Sequence, residues 1–214
     1  MKKYLAEFIG TFALVFCGTG AIIINSESGG VITHIGIAMT FGLVIACMIY
    51  TFGDISGAHF NPAVTLAFWA AKFIAPKEIL PYILSQCAGA FTASAILKFL
   101  FPATQMLGTT LPSGDPTQSF VMEIILTFFL MIVIIHVAKG SKEQGMFAGI
   151  AIGGTIMLDA MFGGPISGAS MNPARSLAPA ILSGHTEHLW IYLTAPILGA
   201  VFAIGIWKLM KTEK

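Results

Sequence analysis

Charge is the scarcest property of this sequence. Asp, Glu, Lys and Arg make up only 10% of its 214 residues, against about 25% in a typical soluble domain. Arg175 is the single arginine, and the formal net charge of +1 gives no basic surface for nucleic acid. Hydrophobic residues reach 56% and the mean hydropathy is +0.86. A soluble fold of this size could not cover so much apolar surface, so the lipid bilayer must be part of the solvent.

Cysteines and metal-ligand patterns are also scarce. Cys17, Cys47 and Cys87 all lie in apolar runs, so they are interpreted as packing residues and not as a disulfide set. Four histidines show no metal-ligand spacing: His34, His136, His185 and His188. Because no nucleophile–base set or metal cluster appears either, an enzyme is the class least favoured, and no cofactor or metal is expected.

Six apolar segments are long enough to cross a hydrocarbon core of about 30 Å. They run from Tyr4 to Ile24, Val31 to Phe52, Ile79 to Leu100, Ser119 to Val137, Gln144 to Met161 and His188 to Met210. The first follows a basic N-terminus, as in a signal peptide. However, it continues to Ile24 without a small-residue cleavage site, so it is predicted to be a retained helix.

Two other apolar stretches are too short to span a bilayer. "NPAVTLAFWAAKF" (61–73) and "NPARSLAPAIL" (172–182) would each cover about half of it at about 1.5 Å per residue. A helix that ends at membrane depth is tolerated only where protein or a wet cavity surrounds its end. The predicted fold is therefore an all-α membrane protein with six transmembrane helices and two re-entrant half-helices.

An internal repeat relates the two short stretches. "SGAHFNPA" (56–63) and "SGASMNPA" (167–174) share six of eight residues, and E-x-x-x-T-F precedes both, at 7–12 and 123–128. We predict one transmembrane domain (1–214) made of a first repeat (1–101), an extracellular connecting loop (102–118) and a second repeat (119–214). Since each repeat has three full crossings, the second must be inverted relative to the first.

The inversion brings two helix starts together near the midplane. Asn61-Pro62 and Asn172-Pro173 each combine a favoured N-cap with a proline at the first helical position, followed by Ala63 and Ala174. Their amides can donate to a neutral oxygen, while the positive helix ends repel cations. The predicted lining backbone comprises Gly57, Ala58 and His59, with Gly168, Ala169 and Ser170.

Three charged residues are costly at membrane depth unless they have a role. Arg175, in the first turn of the second half-helix, is predicted to form a polar filter facing water. The alternative is an ion pair with a carboxylate such as Asp159 or Glu123. Glu7 and Glu123 occupy equivalent repeat positions and are interpreted as structural acceptors for loop N–H groups, although a proton relay is the alternative.

Lysine placement predicts the orientation. Nine lysines fall on one side of the predicted topology: Lys2, Lys3, Lys72, Lys77, Lys139, Lys142, Lys208, Lys211 and Lys214. The opposite connections, 25–30, 102–118 and 183–187, contain no Lys or Arg, although Lys98 lies near the outer end of the third segment. The positive-inside rule therefore predicts a multi-pass protein of the cell (plasma or inner) membrane with both termini cytoplasmic.

Together, "SGAHFNPAV", "SGASMNPARS" and the two E-x-x-x-T-F openings resemble the aquaporin (major intrinsic protein) family. The resemblance covers nearly the whole chain, and "GASMNPARS" is similar to the nodulin-26-like branch and its bacterial relatives. It implies a homotetramer with one pore in each subunit, which passes water and small neutral solutes passively.

The resemblance also implies a selectivity filter of Phe41, Ala160, Ala169 and Arg175. Strict water channels of the family have histidine where this chain has Ala160, so glycerol-, urea- or metalloid-acid-sized solutes are expected as well as water. Ser176, in contrast, matches the water channels, which leaves a strict water channel as an alternative. From other classes, a secondary transporter built on inverted repeats and a non-conducting adhesion or junction protein remain open.

Overall fold

Nine α-helices and no β-strand make up the described part of the chain, residues 1–210 of this computed structural model. They are α1 (Lys2–Glu27), α2 (Thr33–Ser56), α3 (Pro62–Ala70), α4 (Pro76–Leu100), α5 (Pro116–Lys139), α6 (Lys142–Met146), α7 (Ala148–Ser167), α8 (Pro173–Ser183) and α9 (Leu189–Met210). Lys211 and Lys214, two of the lysines that predict the orientation, lie outside the described residues.

The number of crossings predicted from the sequence is confirmed. Helices α1, α2, α4, α5, α7 and α9 are long and apolar enough to span a membrane. The fifth segment is displaced, however, because its span runs from Ala148 to Ser167 and not from Gln144 to Met161. A capping box explains the shift: Ser141 Oγ accepts from Gln144 N and Gln144 Oε1 from Ser141 N, which starts the separate short helix α6.

Glycine allows the long helices to approach closely. A side chain at Gly89 of α4 would collide with the Phe8 carbonyl of α1, and one at Gly199 of α9 with the Ile124 carbonyl of α5. Helices α2 and α7 cross in the same way at Gly42. Small residues at such crossings are typical of membrane helix pairs, where close packing has to replace the hydrophobic effect.

The outward faces of the long helices carry large apolar side chains. Phe99 and Leu209 are each 82% exposed, and Leu43, Leu84 and Phe202 are exposed as well. Such a surface fits a hydrocarbon solvent, in agreement with the low charge of the chain.

The two short helices lie inside this frame. Helix α3 contacts α4 and α9, helix α8 contacts the same two helices, and α3 also contacts α8. Each starts with proline at the first helical position, after Asn61 and Asn172 respectively. The fold therefore places both asparagines in the interior, where the candidate site is found.

Candidate functional site

The side chains of Asn61 and Asn172 cap their own helices. Asn61 Oδ1 accepts from Ala63 N at 2.8 Å. Asn172 Oδ1 accepts from Ala174 N at 3.0 Å and from Arg175 N at 3.3 Å. Because each amide oxygen is bound by backbone N–H groups, the orientation of both amides is determined by the capping geometry.

Each asparagine also binds the loop of the opposite repeat. Asn61 Nδ2 donates to the Met171 carbonyl at 2.7 Å, and Asn172 Nδ2 donates to the Phe60 carbonyl at 2.9 Å. These bonds hold the two helix starts against each other. Since an amide nitrogen carries two hydrogens, each asparagine retains one donor beyond this bond.

The carboxylate of Glu123 organises the loop before Asn172. Its Oε1 accepts from Ser167 Oγ and from Ser170 N, both at 2.8 Å, and its Oε2 accepts from Met171 N at 2.8 Å. Glu123 is fully buried. The side chain therefore supplies acceptors to a loop whose N–H groups have no helical partner.

Glu7 binds the first loop in the same way. Its Oε1 accepts from Ser56 Oγ at 2.7 Å and from His59 N at 2.9 Å. Its Oε2 accepts from Phe60 N at 2.7 Å and from Gln86 Nε2 at 2.8 Å. Both glutamates thus accept from backbone N–H groups of the loop before the nearby asparagine, and Glu7 also accepts from Gln86 of α4.

The loops that the glutamates hold are strained. Ala58 and Phe60 have φ values of 50° and 48°, and Ala169 and Met171 have φ values of 42° and 53°. The left-handed conformation costs a non-glycine residue about 1–2 kcal/mol. Such strain persists only where surrounding contacts enforce it, and it is typical of functional sites. Here the strained residues directly precede the two asparagines, Asn61 and Asn172.

Arg175 is buried, at 2% exposure, beside the second asparagine. Its Nη1 donates to the Gly108 carbonyl at 2.8 Å, and its Cζ lies 5.1 Å from the centre of the Phe41 ring. In residues 1–210 the ion pair within 4.0 Å is Lys3–Glu78. The alternative of an Arg175 ion pair with Asp159 or Glu123 is therefore wrong, because the 102–118 connection turns inward and supplies a carbonyl instead.

One cavity of about 940 Å³ connects these groups. Phe41, Ala160, Ala169 and Arg175 line it at one end, both asparagines line it in the middle, and Tyr50, Lys139 and Met146 line it at the other end. Along α2 it extends from Phe41 to Ser56, a helix length of about 22 Å. The four filter residues named from the resemblance thus surround a common space.

The predicted lining residues divide into two groups. Asn61, Asn172, Gly57, Ala58, His59, Ala169 and Ser170 line the cavity. Pro62, Ala63, Pro173 and Ala174 are buried and are not among the lining residues. Gly168, predicted as lining backbone, does not line the cavity; a side chain there would meet Thr110 at 3.0 Å, because the 102–118 connection packs against it.

Two contacts hold the side chain of His59, which lines the cavity. Its Nδ1 lies 3.1 Å from Thr65 Oγ1, and its ring stacks on Phe68 with a centroid separation of 4.7 Å.

Some residues that support the site were not predicted from the sequence. Tyr82 Oη donates to the Ser56 carbonyl at 2.8 Å, and Tyr192 Oη donates to the Ser167 carbonyl at 2.7 Å. The sequence does contain a pattern that marks them, because the two tyrosines begin the matching stretches 82–90 and 192–200 of the internal repeat. The apolar walls, such as Ile45, Ile49, Ile152 and Ile156, had no such signal, because a span that is apolar all round does not reveal which face lines a cavity.

Comparisons with known proteins agree with this geometry. The family model described as Major intrinsic protein matches residues 1–207. Nodulin-26 of Glycine max is 44% identical over 216 residues, covering 100% of this chain and 80% of that protein. Aquaporin NIP3-1 of Arabidopsis thaliana is 45% identical over 222 residues, covering 100% and 69%. The solved aquaglyceroporin structure from Plasmodium falciparum superposes with a TM-score of 0.87 at 25% identity, covering 98% of this chain and 96% of that one.

Proposed function

Because this chain belongs to the major intrinsic protein family, we propose that it forms a passive transmembrane channel for water and small uncharged solutes. The observation that carries the proposal is the cavity that runs from Arg175 past both asparagines to Lys139. Movement through it needs no chemical step, so the proposal is a conduit and not an enzyme.

The two asparagines define the centre of the path. Each has one amide hydrogen on a carbonyl of the opposite loop and a second one available to a passing oxygen. A water that accepts from both amides donates its own hydrogens to the waters on either side, so the chain of waters has no single donor-to-acceptor direction along which a proton could hop. The helix starts behind Asn61 and Asn172 each carry about half a positive charge. Cations and protons are therefore repelled at the same place where a neutral oxygen is bound.

Arg175 forms the polar side of a narrow outer filter. With Nη1 on the Gly108 carbonyl, Arg175, which lines the cavity, keeps further guanidinium N–H groups with which to donate to a solute. The fixed guanidinium adds a second barrier against cations. Because Gly108 and Phe41 hold the group from two sides, the donor position is preorganised before a solute arrives.

The other filter walls are apolar. The side chains of Ala160 and Ala169 are methyl groups, and Phe41 adds an aromatic ring. A filter with hydrogen-bond donors on one side and hydrocarbon on the others suits a small molecule with hydroxyl or amide groups on a short carbon frame. We assign to it glycerol-, urea- or metalloid-acid-sized solutes in addition to water.

The proposal includes an orientation and an assembly. Both termini lie on the cytoplasmic side of a plasma or inner membrane, since Lys3, Lys139 and most other lysines share that side. Four copies form a homotetramer with one pore in each subunit. Exposed apolar side chains on every long helix, such as Leu43 and Phe202, are available to lipid and to neighbouring copies.

Stopped-flow light scattering of proteoliposomes tests the function. Vesicles with the purified protein are challenged with osmotic gradients of sucrose, glycerol, urea or arsenite, and proton flux is followed with an internal pH dye. We expect faster shrinkage in sucrose than in empty vesicles, re-swelling with the smaller solutes, and no added proton flux. Water flow alone would indicate a strict water channel, whereas saturable, ion-dependent uptake would indicate a transporter.

A further inference from the structure

A proline interrupts the hydrogen bonding of α7 near the filter. Pro165 lies inside the helix, which continues to Ser167. Proline has no backbone N–H, so it cannot donate to the carbonyl four residues earlier, which is that of Met161. A backbone carbonyl at membrane depth needs another donor, because lipid supplies none.

His34 of α2 supplies that donor. Its Nε2 lies 2.7 Å from the Met161 carbonyl oxygen, and since a carbonyl only accepts, Nε2 carries the hydrogen. Gly164 makes room for the ring, because a side chain there would come 2.9 Å from His34 Cε1. His34 shows no metal-ligand spacing in the sequence and is exposed, but it forms a close contact between α2 and α7.

The contact between His34 and Met161 joins α2 and α7, the two helices that carry the filter residues Phe41 and Ala160. Met161 directly follows Ala160, and Phe41 lies seven residues after His34, two helical turns along α2 on the same face. Further inward, α2 and α7 cross at Gly42 and Gly153. From this crossing His34 and Met161 are each eight residues away, about 12 Å. Phe41 therefore lies next to the crossing at Gly42, and Ala160 lies next to the hydrogen bond between His34 and Met161.

We propose that His34 is a positioning residue of the filter: its hydrogen bond to the Met161 carbonyl sets the separation of α2 and α7 and thereby the width between Phe41 and Ala160. This inference rests on the proposed function, because it requires that these residues select solutes. Without the bond, the outer end of α7 is free to move away from α2, and the filter widens.

The test compares glycerol and water permeability in the same proteoliposomes, since their ratio does not depend on how much folded protein is inserted. For His34→Ala we expect the glycerol-to-water ratio to rise about twofold, because selectivity follows pore width. His34→Gln retains an Nε2–H donor and is expected to keep the wild-type ratio. An unchanged or lowered ratio in His34→Ala overturns the proposal.

A matched control separates positioning from the loss of any histidine. His136 is also exposed, and its Nδ1 lies 2.7 Å from the Ile132 carbonyl within its own helix α5. His136→Ala therefore removes a comparable bond without releasing one helix from another, and its ratio should stay at the wild-type value. A rise equal to that of His34→Ala would overturn the assignment.

A double variant separates the two effects of His34→Ala, which are an unsatisfied Met161 carbonyl and the loss of the connection between α2 and α7. In His34→Ala/Pro165→Ala, the new Ala N–H can bond to the Met161 carbonyl, so α7 is satisfied while the connection to α2 is still missing. The ratio should rise as in His34→Ala, and a wild-type ratio would show that His34 only satisfies a carbonyl.

The substitution Ala160→His distinguishes failure of this inference from failure of the proposed filter. It narrows the filter directly, and we expect it to lower the glycerol-to-water ratio. If it does so while His34→Ala has no effect, the filter stands and the positioning role is wrong. If neither variant changes the ratio, the filter assignment is wrong and the inference falls with it.

Discussion

Lys98 and Lys208 occupy equivalent positions in the two repeats, and each donates from Nζ to a carbonyl at the end of the short helix of the other repeat. Lys98 of α4 binds the Leu182 carbonyl at 2.6 Å, and Lys208 of α9 binds the Ala70 carbonyl at 2.9 Å. The last carbonyls of a helix have no partner within it, and a cation there also complements the helix dipole. Lys98, the exception to the lysine distribution, thus has a structural reason to be at the outer end.

Removing Lys98 or Lys208 should weaken the attachment of the short helix whose end it binds, α8 or α3 respectively. We expect Lys98→Met and Lys208→Met each to lower the free energy of unfolding by about 0.5 kcal/mol, the usual size of a cation at a helix C-terminus. Thermal unfolding in detergent measures the effect, and the double variant should be additive because the sites are far apart. Lys77→Met, which replaces an exposed lysine at the start of α4, is the control; an equal loss there would contradict the capping role.

Neutralising a buried glutamate should be far more costly. In Glu123→Gln an amide –NH₂ replaces one carboxylate oxygen and faces the donors of Ser170 or Met171. We expect a loss of about 3 kcal/mol, typical for breaking a buried charged hydrogen-bond set. The exposed Glu27→Gln serves as the reference in thermal unfolding and in water permeability per channel. A Glu123→Gln channel as stable as this reference would contradict the bracing role.

Asp159 presents the opposite case. It is fully buried, and neither carboxylate oxygen has a hydrogen-bond partner in the protein. Leucine has the same branched arrangement of four side-chain heavy atoms but no polar atom, so Asp159→Leu removes this desolvation cost and should raise the free energy of unfolding by about 1–3 kcal/mol. Water permeability should remain, because Asp159 does not line the cavity. A destabilised Asp159→Leu protein, measured by thermal unfolding, would show that the carboxylate serves a need of the fold.

Arg175→Val tests the outer barrier. Val64 already occupies the equivalent position of the first repeat, so a valine fits the start of such a helix. Without the guanidinium we expect more leak of protons or cations through the vesicle membrane, while osmotic water flow is largely unchanged. Val64→Ala, which leaves the arginine in place, is the control. An Arg175→Val channel as tight to protons as wild type would place the barrier elsewhere.

Local patterns predicted the frame of the molecule well. Asn-Pro before a short apolar run indicates a capped helix start, and α3 and α8 begin at Pro62 and Pro173 as expected. The bounds of α7 were wrong, because apolar residues continue through both the predicted and the observed span. Pro165, which would ordinarily end a helix, is accommodated where His34 binds the freed carbonyl.

The sequence by itself determined the six spans, the two half-helices and their inverted pairing, because span length, cap preference and an internal repeat can all be recognised from the order of residues along the chain. Only the tertiary structure decided what Arg175, His34 and Lys98 bind. Their acceptors, on Gly108, Met161 and Leu182, are backbone carbonyls 67 to 127 residues away. Every residue has such a carbonyl, so no pattern in the sequence marks the ones that the packing of helices and loops brings within reach.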